Sequence, residues 1–543
     1  MFTDRLKIEL TITVGGAAHT IPSANVRSFE LDLQSFGFSG SVEFVVFDDK
    51  AHGGQETDDV LADFVKQDLL EVSLGVSAVH ADPETASSIE AVTVKGIGTE
   101  KSVEESAVPH QDERAILYRT YRVRFADPAS VLWKQHFPVE LYTAKSMQDV
   151  IDAHKGAKIT TTYDWTALAA QAPMLFLNLD PIHGASFYDF LAWYTDARAG
   201  VFAYDYATQG YKLSAAKDAS GTAVSLFGDD IGRLLVVFPE VARAKRNVLS
   251  SYTESVVNKP IDNAMAVEGL RQDTLMRTPI AQRVDDRVIL ETSRLVLRES
   301  ELALDFRRWP TVTFRPGSLV SFVQGNLWSA GSLPLTPTWR VRSHVIRARA
   351  ADDRPDADHN FTSAGYNLEV SSRLEQQDEK YVALPPFVKP RYPGYFEGKV
   401  VSEQGEDAQI TYQYYTDQDT SLDEYKVKIP LWSDQVITAP YAPHQGSGNV
   451  YIPAYRNARV LIAMNLGSAS IDHLLDWREG VRLAMDAQGE QVIFGKTATS
   501  QTSINHVYDG EDPVFNIART HEKDRATIQI KEGSLIIQVK EDS

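Results

Sequence analysis

The stretch Ala526-Thr-Ile-Gln-Ile-Lys-Glu-Gly-Ser-Leu-Ile-Ile-Gln-Val-Lys540 decides how the chain must be read. Ile528 and Ile530, then Leu535, Ile537 and Val539, alternate with polar residues on either side of Gly533. That period belongs to two half-buried strands joined at a glycine turn, with Ile536 on the opposite face. One copy of such a segment has open edges and too little apolar area for a core of its own. It can pack as a hairpin on the preceding domain, or identical chains can wind together and bury the inward residues. Association closes every edge, so the segment predicts an oligomer. Val481, Leu483 and Met485, then Val492 and Phe494, alternate in the same way and extend the unit to 481–543.

Working back from there, Pro385-Pro386, Pro390 and Pro393-Gly394 mark the strongest domain boundary in the chain, because such a density of proline fits neither a packed helix nor a central strand. Five short strand candidates follow it: Gly398–Val401, Ile410–Tyr414, Tyr425–Ile429, Asn449–Ile452 and Ala458–Met464. Short strands separated by polar loops predict a small closed barrel of the OB type over 385–480.

The N-terminal part begins with Leu6, Ile8, Leu10, Ile12 and Val14 alternating with polar residues before Gly15-Gly16. Similar runs reach Phe125, with a polar excursion at His80–Ser88, so 1–130 reads as an antiparallel barrel or sandwich. Ser146-Met-Gln-Asp149 and Ser186-Phe-Tyr-Asp189 are capping boxes opening two helices. Gly200 is placed to stop the second helix, and a strand pair follows at Val201–Tyr206 and Tyr211–Leu213. Glu291–Arg308 has a helical pattern limited by Pro310, and strands return at Val312–Phe314, Leu319–Phe322 and Trp339–Ala348. The fold class is mainly β with a few helices, in β and α/β modules.

Composition removes several functions. Lys and Arg number 54 against 74 Asp and Glu, a net charge of −20, which repels nucleic-acid backbones and anionic membranes alike. With no cysteine, disulfides, thiolate metal sites and Cys nucleophiles are excluded. No signal peptide is legible at the N-terminus, and apolar runs such as Leu234–Phe238 fall far short of the ~20 residues of a membrane span. Gly96-Ile-Gly98 lacks the rest of a phosphate loop. Asp417, Asp419, Asp423 and Glu424 lack the glycine of a calcium loop and read as a solvated patch. Asn360-Phe-Thr362, beside His359, is a formal glycosylation sequon with no secretion signal to give it meaning. His344 reads as a partly buried core or interface histidine. Asp472-His473 resembles a base with its orienting carboxylate, but no nucleophile motif accompanies it. The pattern therefore predicts no catalytic residue, metal or cofactor.

In this order, the parts resemble the VgrG family, spike proteins of type VI secretion and extracellular contractile injection systems that join a phage-type tail hub to a spike. The resemblance rests on Leu141–Asp152, on Phe187–Tyr204, on Phe314-Arg-Pro-Gly-Ser-Leu-Val320, on Trp339-Arg-Val-Arg-Ser-His344, and on the barrel Tyr395–Leu466. It implies a hub over 1–384 with two barrel modules (in 1–130 and near 312–372) and a helical middle, an OB-fold domain over 385–480, and a trimeric β-helix or prism needle over 481–543. Ile528, Ile530, Leu535, Ile537 and Val539 would then face a threefold axis. The implied partners are two further copies in a homotrimer, an inner tube protein at the hub end, a PAAR-like tip protein at the needle end, baseplate proteins and effector cargo. Assembly would take place in the bacterial cytoplasm, followed by release or injection, without stable membrane insertion. Ser468-Ala-Ser-Ile-Asp-His-Leu474 replaces the family's usual DxxGR-type strand and Pro-rich exit, which favours an extracellular system or a divergent branch. No lysozyme-like insert is legible, nor an effector domain after Ser543. Two other readings remain: a secreted β-rich adhesin binding surface glycans, and a glycan hydrolase using paired carboxylates.

Overall fold

The computed structural model describes residues 3–48, 57–79, 91–109, 115–182, 184–252, 255–278, 280–323, 337–352, 364–406, 409, 411, 413–418, 422–441, 452–478, 480–484 and 487–541. The polar excursion at 80–88, the sequon at 360–362, Asp419, Met485 and most of the strand candidate at 449–452 lie outside these residues.

Alternating apolar residues build the N-terminal wall. Trp339–Ala350, Val26–Gln34, Gly37–Asp48, Ala115–Ala126, Val92–Pro109, Leu70–Ala78, Thr3–Val14 and Ala364–Gln376 follow one another round an antiparallel barrel, and the last pairs back with the first. Leu6, Leu10, Leu31, Leu74 and Val94 point inward and are fully buried. The expected barrel over 1–130 is thus real but incomplete: its wall closes only with the hairpin of 339–350 and 364–376, contributed from far along the chain.

That hairpin is longer than one barrel needs. Its far end, Trp339–Val341 against Leu374–Gln376, carries a second sheet in the order Val224–Phe227, Leu319–Val323, the hairpin, Glu301–Phe306 and Ile231–Val237. Leu226, Leu304, Phe314, Val320, Trp339 and Leu374 fill it. The second module expected near 312–372 therefore also draws strands from 224–237 and 301–306, while Val312–Phe314 packs into its core without being a strand. The helix expected over 291–308 is displaced. Ala281–Arg294 is the helix, with Val284 set on Val248 and Ile261 of a three-stranded sheet, and Glu301–Phe306 is a strand that buries Leu302 and Leu304. The barrel's need for alternating residues overrides a helix-compatible composition.

Both capping boxes form. The Asp149 amide donates to Ser146 Oγ at 3.1 Å, and Asp149 Oδ2 accepts from the Ser146 amide at 2.9 Å; Ser186 and Asp189 repeat this at the head of Phe187–Ala197. The left-handed residue ending that helix is Ala199, at φ 53°. Gly200 serves packing instead: a Cβ there would lie 2.3 Å from Trp165 Cη2.

A two-stranded plate joins the N-terminal barrels to the small barrel. Val139–Ser146 pairs with Gln171–Asn178, and alternation sends Leu175 and Leu177 into the large N-terminal core while Leu141, Met174 and Phe176 enter the small barrel's core. The Phe176 amide donates to the Leu466 carbonyl at 2.8 Å, and Tyr392 Oη donates to the Phe176 carbonyl at 2.8 Å. The small barrel uses Gly394–Val401, Asp423–Ile429, Gln435–Pro440, Arg459–Met464 and Ala469–Leu474, in that chain order. The first pairs with the second and fourth, the second with the third, and the fourth with the fifth. A parallel bridge between Tyr441 and Ile471 brings third and fifth together. Its third and fifth strands, 435–440 and 469–474, are not among the strand candidates read from the sequence, and Tyr415–Thr416 adds a short pairing to Asp423–Glu424.

Candidate assembly site

Five strands in simple meander end the chain: Gly489–Thr497, Ser500–Asp509, Asp512–His521, Asp524–Lys531 and Ser534–Lys540. Each hairpin turns on two residues, as at Glu532-Gly533, where Gly533 has φ 67°. The expected strand at Val481–Met485 is absent among the described residues; 480–484 form a turn and irregular chain.

Register sorts the side chains. Residues directly opposite in a ladder share a face. Val492, Ile504, Ile517, Ile528 and Ile537 are paired in succession, one from each strand, and make an apolar row across the whole sheet. Phe515, Ile530 and Leu535 stand beside it, and Val539 beside Ala526. All five residues singled out from the sequence therefore share one face, and Ile536 lies on the other. Ile504, Phe515 and Ile517 were not singled out, because Val507 and Val514 on the opposite face blur the alternation of their strands.

The two faces differ in what covers them. The opposite face carries an amide chain: Gln529 Nε2 donates to Asn516 Oδ1 at 2.9 Å, Asn516 Nδ2 to Asn505 Oδ1 at 3.0 Å, and Asn505 Nδ2 to Gln491 Oε1 at 3.4 Å. The connecting segment lies on this side, since Gln491 Nε2 donates to the Gly480 and Val481 carbonyls at 2.7 and 3.1 Å. The apolar face has no such cover. Ile528 is 40 % exposed, Ile530 49 %, Leu535 64 %, Ile537 70 % and Val539 67 %. Leaving such side chains in water forgoes roughly 1.5–3 kcal/mol each, and contiguous apolar surface of this kind marks an interface.

The histidines sort equally clearly. His344 is fully buried, deeper than expected, against Phe314, with Nδ1 2.7 Å from Ser372 Oγ; burial pulls its pKa down to about 4. Asp472 and His473 lie on the last barrel strand with Oδ2 and Nδ1 2.7 Å apart, both well exposed. Glu140, Tyr142, His154 and His136 form a further hydrogen-bonded chain, Tyr142 Oη donating to Glu140 Oε2 at 2.8 Å and lying 2.7 Å from His154 Nε2. It ties the plate to helix Met147–His154, and burial lowers both imidazole pKa values. Among the described residues no group of three or more His, Cys, Asp or Glu could hold a metal, and no helix is long and apolar enough to cross a membrane.

No protein-family model matches the sequence, and no curated protein matches it significantly. Solved structures do match. Chains of the Francisella PdpA–VgrG complex align over 100 % of this chain with a TM-score of 0.72, at 12 % identity over 88 % of the half-lidded chain and 11 % over 80 % of the lidded one. The lidless form of the PdpA–VgrG complex matches with the same TM-score, at 12 % identity over 99 % of its chain. Over its full length the fold of this chain is thus VgrG-like, that of the matched chains of the PdpA–VgrG complex.

Proposed function

We propose that the protein is a structural hub-spike of a contractile injection machine, acting as a homotrimer without chemistry of its own. The observation that carries this reading is the bare apolar row Val492–Ile504–Ile517–Ile528–Ile537 on a sheet whose other face carries a chain of hydrogen-bonded amides and, at Gln491, meets its own connecting segment. Three such sheets, apolar faces inward, make a prism over 481–543 that buries those faces, with the OB-type barrel at its base and the fused barrels of 1–384 as the ring that seats an inner tube. The likeness to chains of the PdpA–VgrG complex supports the same division of labour. Tube, tip and baseplate proteins are the partners this assembly calls for, with cargo carried at the spike. Assembly in the cytoplasm and delivery through the particle belong to the same reading.

Light scattering on the purified full-length chain tests the core of the proposal. The expected mass is three times the 60.4 kDa of one chain, independent of dilution into the nanomolar range. A stable monomer would overturn it and return the apolar face to the adhesin reading.

A further inference from the structure

The helix Ala281–Arg294 presents two faces. Val284 and Val288 lie on the small three-stranded sheet, and Glu291 is buried one turn further along. Arg283, Arg287 and Leu290 recur at the same helical spacing on a second face. There they share the walls of an open cleft of about 460 Å³ with Trp165, Ala167 and Arg198 of the middle region. The helix also holds that region directly, since Arg294 Nη2 donates to the Asp196 carbonyl at 2.9 Å.

Charge in the cleft is one-sided. Arg198 lies over the Tyr194 ring at 4.6 Å, Arg283 is exposed, and neither has a carboxylate partner among the described residues. Arg287 shares Glu291 with Arg246 and Arg294, at 2.7, 3.6 and 3.4 Å, so a single acid answers all three guanidiniums. Asp286 is the carboxylate on the cleft walls, and Gln282 Nε2 already donates to it at 2.9 Å. Asp196 is exposed, two residues before Arg198. Arg283 and Arg287, one turn apart, repel each other. In a chain with 74 acidic residues against 54 Lys and Arg, arginines gathered in this way call for carboxylates from outside. The walls add apolar surface, because Trp165 and Leu290 are both partly exposed. A lone inorganic anion would leave that surface bare, and a nucleic-acid strand would meet the chain's net charge of −20. We infer that the cleft seats an acidic peptide segment of a partner protein, its carboxylates on Arg198, Arg283 and Arg287 and an apolar side chain against Trp165 and Leu290. Guanidinium and carboxylate are matched planar forks. The inference is independent of trimer formation, because every wall comes from one chain.

The test is fluorescence anisotropy of a fluorescein-labelled, capped Asp-Leu-Glu-Leu-Asp peptide with the full-length protein at about 0.15 M salt. The uncharged control Asn-Leu-Gln-Leu-Asn should need about tenfold more protein for half-saturation, the effect of two or three exposed ion pairs. Arg198→Gln combined with Arg283→Gln should weaken the acidic peptide by a similar factor without changing thermal stability. Ala167→Glu, at an exposed position on the facing wall, should weaken it too by adding a carboxylate to the cleft. Arg271→Gln, on the same small sheet but outside the cleft, should bind as the parent does. Equal binding of the two peptides, an equal loss in Arg271→Gln, or full binding in both cleft variants would overturn the inference, leaving only diffuse surface charge. Displacement of the peptide by an equal concentration of inorganic phosphate, or tighter binding of a short DNA duplex, would overturn it as well, since neither uses the apolar walls.

Discussion

Ile536 and Ile537 are chemically identical neighbours with opposite surroundings, since one step along a strand changes the face. In the proposed trimer Ile537 meets its two copies, so burying it contributes about 5–9 kcal/mol per assembly from three side chains. Ile537→Asp should release monomers in light scattering, whereas Ile536→Thr should leave the trimer intact; equal tolerance would place the axis on the other face. His344 gives a second residue-scale prediction. Its folded pKa of about 4 lies below the unfolded value, so the unfolded chain binds the extra proton first as pH falls. Its contribution is complete above pH ~6.5 and about 3 kcal/mol is lost on descending through pH 4. The loss of urea midpoint between pH 7 and 4.5 should be smaller in His344→Gln than in the parent; identical losses would mean that other groups set the acid limit. Local chemistry of this kind was largely legible in the sequence. Ser146, Ser186 and the face shared by Ile528 and Ile537 depend only on neighbours a few residues away. The depth of His344 and the packing role of Gly200 depend on Phe314 and Trp165, which local spacing cannot bring together.

Among elements, the bridging plate has the largest consequence for its size. Isolated two-stranded sheets are marginal, but this one is clamped between two cores, and Phe176 alone touches Tyr392, Phe396 and Trp432. Phe176→Ala should cost roughly 3–5 kcal/mol and loosen the small barrel from the hub. The expected readout is accelerated proteolysis in the proline-rich stretch 385–393 while the barrel's own fold persists; unchanged cleavage would show that the polar contacts suffice. Strong strands such as Trp339–Ala350 were readable because a long alternating run has no competing period. Gln435–Pro440 and Ala469–Leu474 were not. Their inward residues include Ala439 and Ala469, whose small side chains give little alternation, and ladder pairing rather than side-chain pattern makes them strands.

For the molecule as a whole, closure is the property hardest to read from a chain. The first barrel joins Thr3–Leu6 to Ala364–Asn367, and no periodicity announces a contact across that separation. The hairpin shared by the two N-terminal barrels also ties them together, as the proposed tube-seating ring requires. Removing 481–543 should therefore leave a folded hub that no longer sediments as a tight trimer; a fully trimeric truncation would locate the main contacts in the hub instead. The terminal meander has a mechanical corollary. Its strands are stacked, with backbone hydrogen bonds running from one to the next about 4.8 Å apart, so five strands extend about 19 Å along the ladder. Only two-residue loops link successive layers. A load directed down that stack closes the layers on one another, and the hydrogen bonds resist it as a column under compression. A pull in the reverse sense opens the outermost layer first and then each next one in turn. The same sheet is stiff in thrust and peels in withdrawal, so in the proposed spike it would carry a push better than a pull.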